Sequence, residues 1–214
     1  MKKITNFLIE VEKLKGKKRR GWQIHKIKDA ETTGEHIFHL ALLVWLLGRK
    51  KKINLERALK MALAHDLCEL YSPDLTSYDA YVIKEKGRIT LDAFLKLQPK
   101  PGRPTTAQRK KMDKIKQGME KKAMRKLCSQ LPTDSKREVT NLWLDYENGR
   151  TKEGRFVKQA DKVVNLLQGL IYWKKYGKIQ HYLWIRRAKE VLDDPVLLEF
   201  IKILENKFCR KCKH

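Results

Sequence analysis

Three stretches with helical periodicity carry polar residues on their apolar faces. His36 shares a stripe with Leu40, Leu43 and Leu47, at steps of four, three and four residues. His65 follows Met61 by four and Ala62 by three, and Asp66 stands directly after it in "ALAHDLCEL". Asp161 falls in line with Val157, Val164 and Gln168. An ionised carboxylate on such a face costs several kcal/mol unless something compensates it. Taken singly, each residue has an ordinary explanation, such as a hydrogen-bonded core histidine or an aspartate paired with a lysine. Together they amount to two imidazoles and two carboxylates, a ligand set suited to a divalent ion of intermediate hardness. Coordination offsets the burial penalty and keeps the imidazoles neutral. An ion that prefers five or six ligands would keep positions open for water and substrate.

The elements that must position these residues read as almost entirely helical. The pattern predicts helices over 4–15, 35–49, 55–71, 107–130, 133–148, 153–175, 178–192 and 194–208. Asn54 is placed to cap the third of these, and Pro73 to end it. Asp194 precedes Pro195 at the first position of the last helix. No stretch alternates long enough to argue for a sheet. The irregular region is 77–106, where "QPKPGRPTT" marks a loop that encloses at most a short helix near Thr90–Leu97. The expected fold class is therefore all-α, one helical bundle over residues 1–214. Its metal-site core spans about 20–175, with a basic insertion at about 77–118 and C-terminal helices at about 178–208.

Composition narrows the class. With 214 residues and a 42% hydrophobic fraction the chain can bury a core, which excludes global disorder. Lys2 and Lys3 are not followed by an uninterrupted apolar run before Glu10, and the most apolar stretch, Ile37–Leu47, is too short to span a membrane. A cytoplasmic protein without a membrane partner is expected. Cys68 and Cys128 read as small core hydrophobes. Cys209, Cys212 and His214 have metal-like spacing but lack a second pair of ligands. The net charge is +24, of which residues 11–28 supply +7 and residues 84–126 supply +11. Such a field attracts phosphates, whether on a small nucleotide or on a nucleic acid, although a lysine-rich solvated surface has the same composition.

The order His, then His-Asp, then a distant Asp resembles the motif of the HD-domain superfamily of metal-dependent phosphohydrolases. The surrounding residues narrow the likeness. "RRGW" at 19–22, "ETTGEH" at 31–36, "ALAHDLCELYSPDL" at 62–75 and "LWLDYENGRTKEGRFVKQADK" at 142–162 are similar to the YfbR-like and HDDC2-type 5′-deoxynucleotidases. That resemblance runs from about residue 5 to residue 175. It implies an all-helical HD fold, a homodimer, one divalent metal ion (Co, Mn, Fe, Ni, Zn or Mg) and hydrolysis of deoxyribonucleoside 5′-monophosphates.

Position by position, the resemblance implies His36, His65, Asp66 and Asp161 as metal ligands. Glu69 matches the family's catalytic glutamate; four residues after His65, it would share a helix face with it and orient water or move its proton. Asp74 matches a second acidic residue acting on the substrate or leaving group. Trp22 matches a tryptophan that excludes the ribose 2′-hydroxyl. The phosphate-binding arginine is Arg20 or Arg19, and Glu147 matches a further pocket carboxylate. Pro73 stands where glycine is usual. Gly154 and Gly169 look like loose helix residues, each costing up to about 1 kcal/mol relative to alanine. The basic insertion leaves two other readings open: a phosphodiesterase or pyrophosphohydrolase on a larger nucleotide or oligonucleotide, and a nucleic-acid-binding protein with a structural metal site.

Overall fold

A computed structural model describes residues 1–75 and 105–209, the side chains of Gln108 and Arg109 excepted. The expected short helix near Thr90–Leu97, Cys212, His214 and most of the basic insertion lie outside the described residues. The described elements are α1 (Lys2–Val11), a 3-10 turn (Glu12–Lys15), α2 (Arg20–Ile24), α3 (Thr33–Gly48), α4 (Leu55–Ala64), a second 3-10 turn (Leu67–Leu70), α5 (Thr106–Cys128), α6 (Thr133–Asn148), α7 (Lys152–Tyr176), α8 (His181–Val191) and α9 (Pro195–Cys209). None of these helices is long and apolar enough to cross a membrane. The chain divides into two compact units, one made of Met1–Gly34 with Asp66–Arg137, the other of Glu35–His65 with Glu138–His214.

Among the described residues, the unit that contains α7 holds the larger core. α7 packs against α4, α8 and α9. Its buried face, including Phe156, Val157, Val164 and Leu170, meets Leu40 and Val44 from α3, Met61 from α4 and Leu197 and Ile201 from α9. Each such side chain contributes about 1.5–3 kcal/mol when taken out of water. Side chains close the helix ends as the sequence suggests. Asn54 Oδ1 accepts from Arg57 N at 2.9 Å, and Asp194 Oδ1 accepts from Val196 N at 3.1 Å and Leu197 N at 3.2 Å. Thr151 Oγ1 accepts from Gly154 N at 3.0 Å at the start of α7, and Gly177, at φ 67°, ends it in the left-handed region that glycine favours.

The predicted helix 55–71 is interrupted. α4 stops at Ala64, Asp66 takes φ −106° and ψ 11°, and the chain resumes as the 3-10 turn Leu67–Leu70. The His65 ring supplies a reason, since its Nδ1 lies 2.8 Å from the Ala62 carbonyl and satisfies an acceptor of the last helical turn. Glu69 therefore does not share a continuous helix with His65, and the expected same-face spacing does not apply.

The other unit is built on α5, which packs against the 3-10 turn Leu67–Leu70, with α1 against both 3-10 turns. Its entry segment is pinned by an antiparallel bridge between Lys18 and Thr32. Arg19 N donates to Glu31 O at 3.0 Å and Thr33 N to Lys17 O at 2.8 Å, closing a loop that contains α2. The five-residue α2 had no periodic signal to betray it, because a helix so short is held by its surroundings. Cys68 and Cys128 are buried, as expected of core hydrophobes.

Candidate metal centre

α3, α4 and α7 bring three of the four expected ligands together. One ligand atom from each of His36, His65 and Asp161 lies within 4.8 Å of the others. Both imidazoles are fully buried, and Asp161 keeps 18% of its side chain exposed. His36 Nε2 is 2.9 Å from Asp161 Oδ1, and the two rings stand 5.3 Å apart at 57°. The Ala62 carbonyl can only accept, so His65 Nδ1 carries the proton and the ring's lone pair is left on Nε2. Asp161 is oriented from both sides: Tyr146 donates its hydroxyl to Oδ2 at 3.1 Å, and Asn165 Nδ2 donates to Oδ1 at 2.9 Å. Tyr146 also meets the His65 ring edge-on at 5.1 Å. Two nitrogen donors and one oxygen donor, held by outer hydrogen bonds of this kind, fit a divalent ion.

Asp145, buried and next to Tyr146 in the chain, is paired with the half-exposed Arg57. Asp145 accepts from Arg57 Nη2 at 2.7 Å, from Thr151 N at 3.0 Å and from Thr151 Oγ1 at 2.7 Å. Burial alone would raise its pKa, but the hydrogen bonds from Thr151 and Arg57 outweigh that and hold it below the ordinary value. Gly154 is not a loose residue of α7. A Cβ there would sit 2.7 Å from Asp145 Oδ1 and 2.8 Å from its carbonyl oxygen, so the close approach of α6 and α7 requires glycine. Gly169 is buried in the same helix. Asp145, Tyr146, Asn165 and Arg57 carry no spacing signal in the sequence. The only local signal was that "LWLDYENG" carries polar groups between buried Leu142 and Trp143 and the helix end. Glu147 is half-buried, its carbonyl accepts from Lys158 Nζ at 2.7 Å, and it is not a member of the ligand group.

The remaining expected residues belong to the unit built on α5. Asp66 follows His65 in the chain, half-buried at the start of the 3-10 turn, and is not one of the three clustered ligands. Glu69 is buried and accepts from Thr33 Oγ1 at 2.8 Å. Burial, then the charges of Asp66 and Asp74, push its pKa well above the usual carboxylate range, against the opposing pull of Arg19 and Lys116. Asp74 Oδ2 accepts from Arg20 N at 3.1 Å and lies 4.0 Å from Arg19 Nε. Arg19 Nη1 and Trp22 Nε1 converge on Glu31 Oε1, at 3.3 and 2.8 Å. Arg20 and Trp22 are both buried. Glu31, Thr33 and Lys116 were not singled out in the sequence. Lys17 was not singled out either; it donates to the carbonyls of Glu69 and Ser72. Burial opposes the charge on Lys116, yet Glu120, Asp74, Asp66 and Glu69 hold it above the ordinary lysine value.

An all-helical fold with His36, His65 and Asp161 clustered from three helices defines a class. The profile of the HD domain family matches residues 11–196, and the chain belongs to that family. Among its relatives, the 5′-deoxynucleotidase HDDC2 of Xenopus laevis is 28% identical over 184 residues, covering 85% of this chain and 76% of that protein. The 5′-deoxynucleotidase hdd1 of Schizosaccharomyces pombe is 29% identical, covering 91% of this chain and 84% of its own. A conserved hypothetical protein from Pyrococcus furiosus has the same fold, with a TM-score of 0.65 at 24% identity over 94% of this chain and 99% of that one.

Proposed function

We propose that this protein is a divalent-metal-dependent phosphohydrolase that converts deoxyribonucleoside 5′-monophosphates to deoxynucleosides and phosphate. The observation that carries the reading is the buried His36, His65 and Asp161 group, oriented by Ala62, Tyr146 and Asn165. The names of the curated relatives support the substrate class. A divalent ion held there supplies Lewis acidity for water and for a phosphate oxygen. Asp66 is assigned as the fourth ligand, and the whole chain is taken as one HD domain.

The chain's own residues then have the following tasks. Glu69, buried and raised in pKa, holds or relays a proton, with Thr33 fixing one of its oxygens. Arg19 or Arg20 binds the phosphate through its guanidinium. Asp74 acts on the sugar or leaving-group side. Trp22, whose indole is fixed by Glu31, limits the room for a ribose 2′-hydroxyl. Glu147 is assigned to the nucleoside side of the pocket. A homodimer is proposed with the family likeness.

The test is phosphate release from paired 5′-dNMPs and 5′-NMPs, with Co, Mn, Fe, Ni, Zn or Mg added to metal-stripped protein. Release from the deoxy set, lost in His36→Ala and Asp66→Ala, is expected. Silence on every monophosphate with every metal overturns the substrate assignment.

A further inference from the structure

A cavity of about 420 Å³ opens between the loop after α3, the first turns of α7 and the start of α9. His36 and Gly48 lie twelve residues apart on α3, so this cavity and the metal centre are separated by about 18 Å along that helix. Lys50, Lys51, Lys52, Lys152 and Arg155 line it, against two carboxylates, Asp193 and Asp194. Both carboxylates are already engaged. Asp194 pairs with Lys51 and caps α9 through Val196 N and Leu197 N, and Asp193 accepts from Gln159 Nε2 at 2.7 Å. Among the described residues, no carboxylate lies within ion-pair distance of Lys50, Lys52, Lys152 or Arg155. Four exposed like charges line one concavity, and an anion bound there relieves their mutual repulsion.

The rest of the lining says what kind of anion. The size lies in the range of small-molecule sites, about 300–1,000 Å³. Phe156 is 1% exposed and offers no open ring face for a base. Gln159 Oε1 already accepts from Asp193 N at 3.0 Å and Asp194 N at 3.1 Å. The α9 amides are taken by Asp194, so the cations alone remain to bind. We propose that this cavity is a second anion site, taking a linear triphosphate by charge without reading any base attached to it. The assignment does not depend on the metal centre.

The experiment is calorimetric titration of the full chain with tripolyphosphate, dATP and dGTP, in EDTA and near 0.15 M salt. The three ligands are expected to bind within about three-fold of one another. Lys152→Glu with Arg155→Glu should weaken all three by about ten-fold or more, the order expected for two lost charge-assisted contacts. Lys174→Glu with Lys207→Glu, exposed on α7 and α9 away from the cavity, makes the same change in net charge and should leave affinity within about three-fold. Both substituted positions 152 and 155 fall in the first turn of α7, where a carboxylate suits the helix terminus, and Lys50→Glu in the loop after α3 repeats the test outside any helix. Absence of binding, or equal weakening by the two charge-matched pairs, overturns the site. Much tighter binding of either nucleotide than of tripolyphosphate overturns the base-blind recognition.

Discussion

Replacing Gly154 by alanine sets two effects of opposite sign against each other. Helix propensity favours alanine by about 1 kcal/mol in a helix interior, and the unfolded chain loses freedom in the same direction. The structure opposes both. The added Cβ would approach Asp145 Oδ1 to 2.7 Å and the Asp145 carbonyl oxygen to 2.8 Å. Neither atom can yield easily: the carboxylate is held by Arg57 and by two bonds from Thr151, and the carbonyl accepts from Gly149 N at 2.7 Å. Overpacking costs about 1–3 kcal/mol, and weakening one hydrogen bond to a buried charge about 1.5–3 kcal/mol. The sum exceeds the propensity gain, giving a net loss of about 2–4 kcal/mol, which for a chain of this length is a fall in Tm on the order of 10 °C. Thermal and urea unfolding of Gly154→Ala measure it directly, with the urea slope checking that the unfolded state is unchanged. A variant as stable as the parent, or more stable, would refute the argument that close approach, rather than tolerance, selects glycine here.

Tyr146→Phe removes the hydroxyl on Asp161 Oδ2 while keeping the ring against His65, so Co²⁺ affinity should fall by about ten-fold with folding preserved; unchanged affinity sinks the orienting role. Asp145 is held below its ordinary value of 3.8, so between the two values the unfolded chain binds more protons. Its stabilisation is present above 3.8 and is lost as the pH falls through the folded value, and Asp145→Asn should flatten the acid limb of a stability–pH curve. Glu69→Gln should cut turnover by about 10²-fold or more while metal content stays at the parent's level; full activity in this variant would remove Glu69 from proton transfer. Glu31→Gln loosens the partner shared by Arg19 and Trp22, and should narrow the deoxy-to-ribo preference in the phosphate-release assay. An unaltered preference would detach Glu31 from discrimination.

Periodicity and capping chemistry determined most of the helices, because those signals are local: Asn54 and Asp194 each accept from amides two or three residues ahead, as their types suggest. The anomaly of His36, His65 and Asp161 was also legible in one dimension, since a polar residue on an apolar stripe stands out against its neighbours. What the sequence left open needed the third dimension. The break after Ala64 depends on where the His65 ring finds a carbonyl, and α2 exists because a bridge between Lys18 and Thr32 closes around it. Asp145, Tyr146 and Asn165 looked like ordinary residues of polar helix turns until folding placed them against Arg57, Thr151 and Asp161. Gly154 reversed its meaning altogether. Its cost in helix propensity is a property of the chain, whereas the backbone approach that demands it is a property of two packed helices.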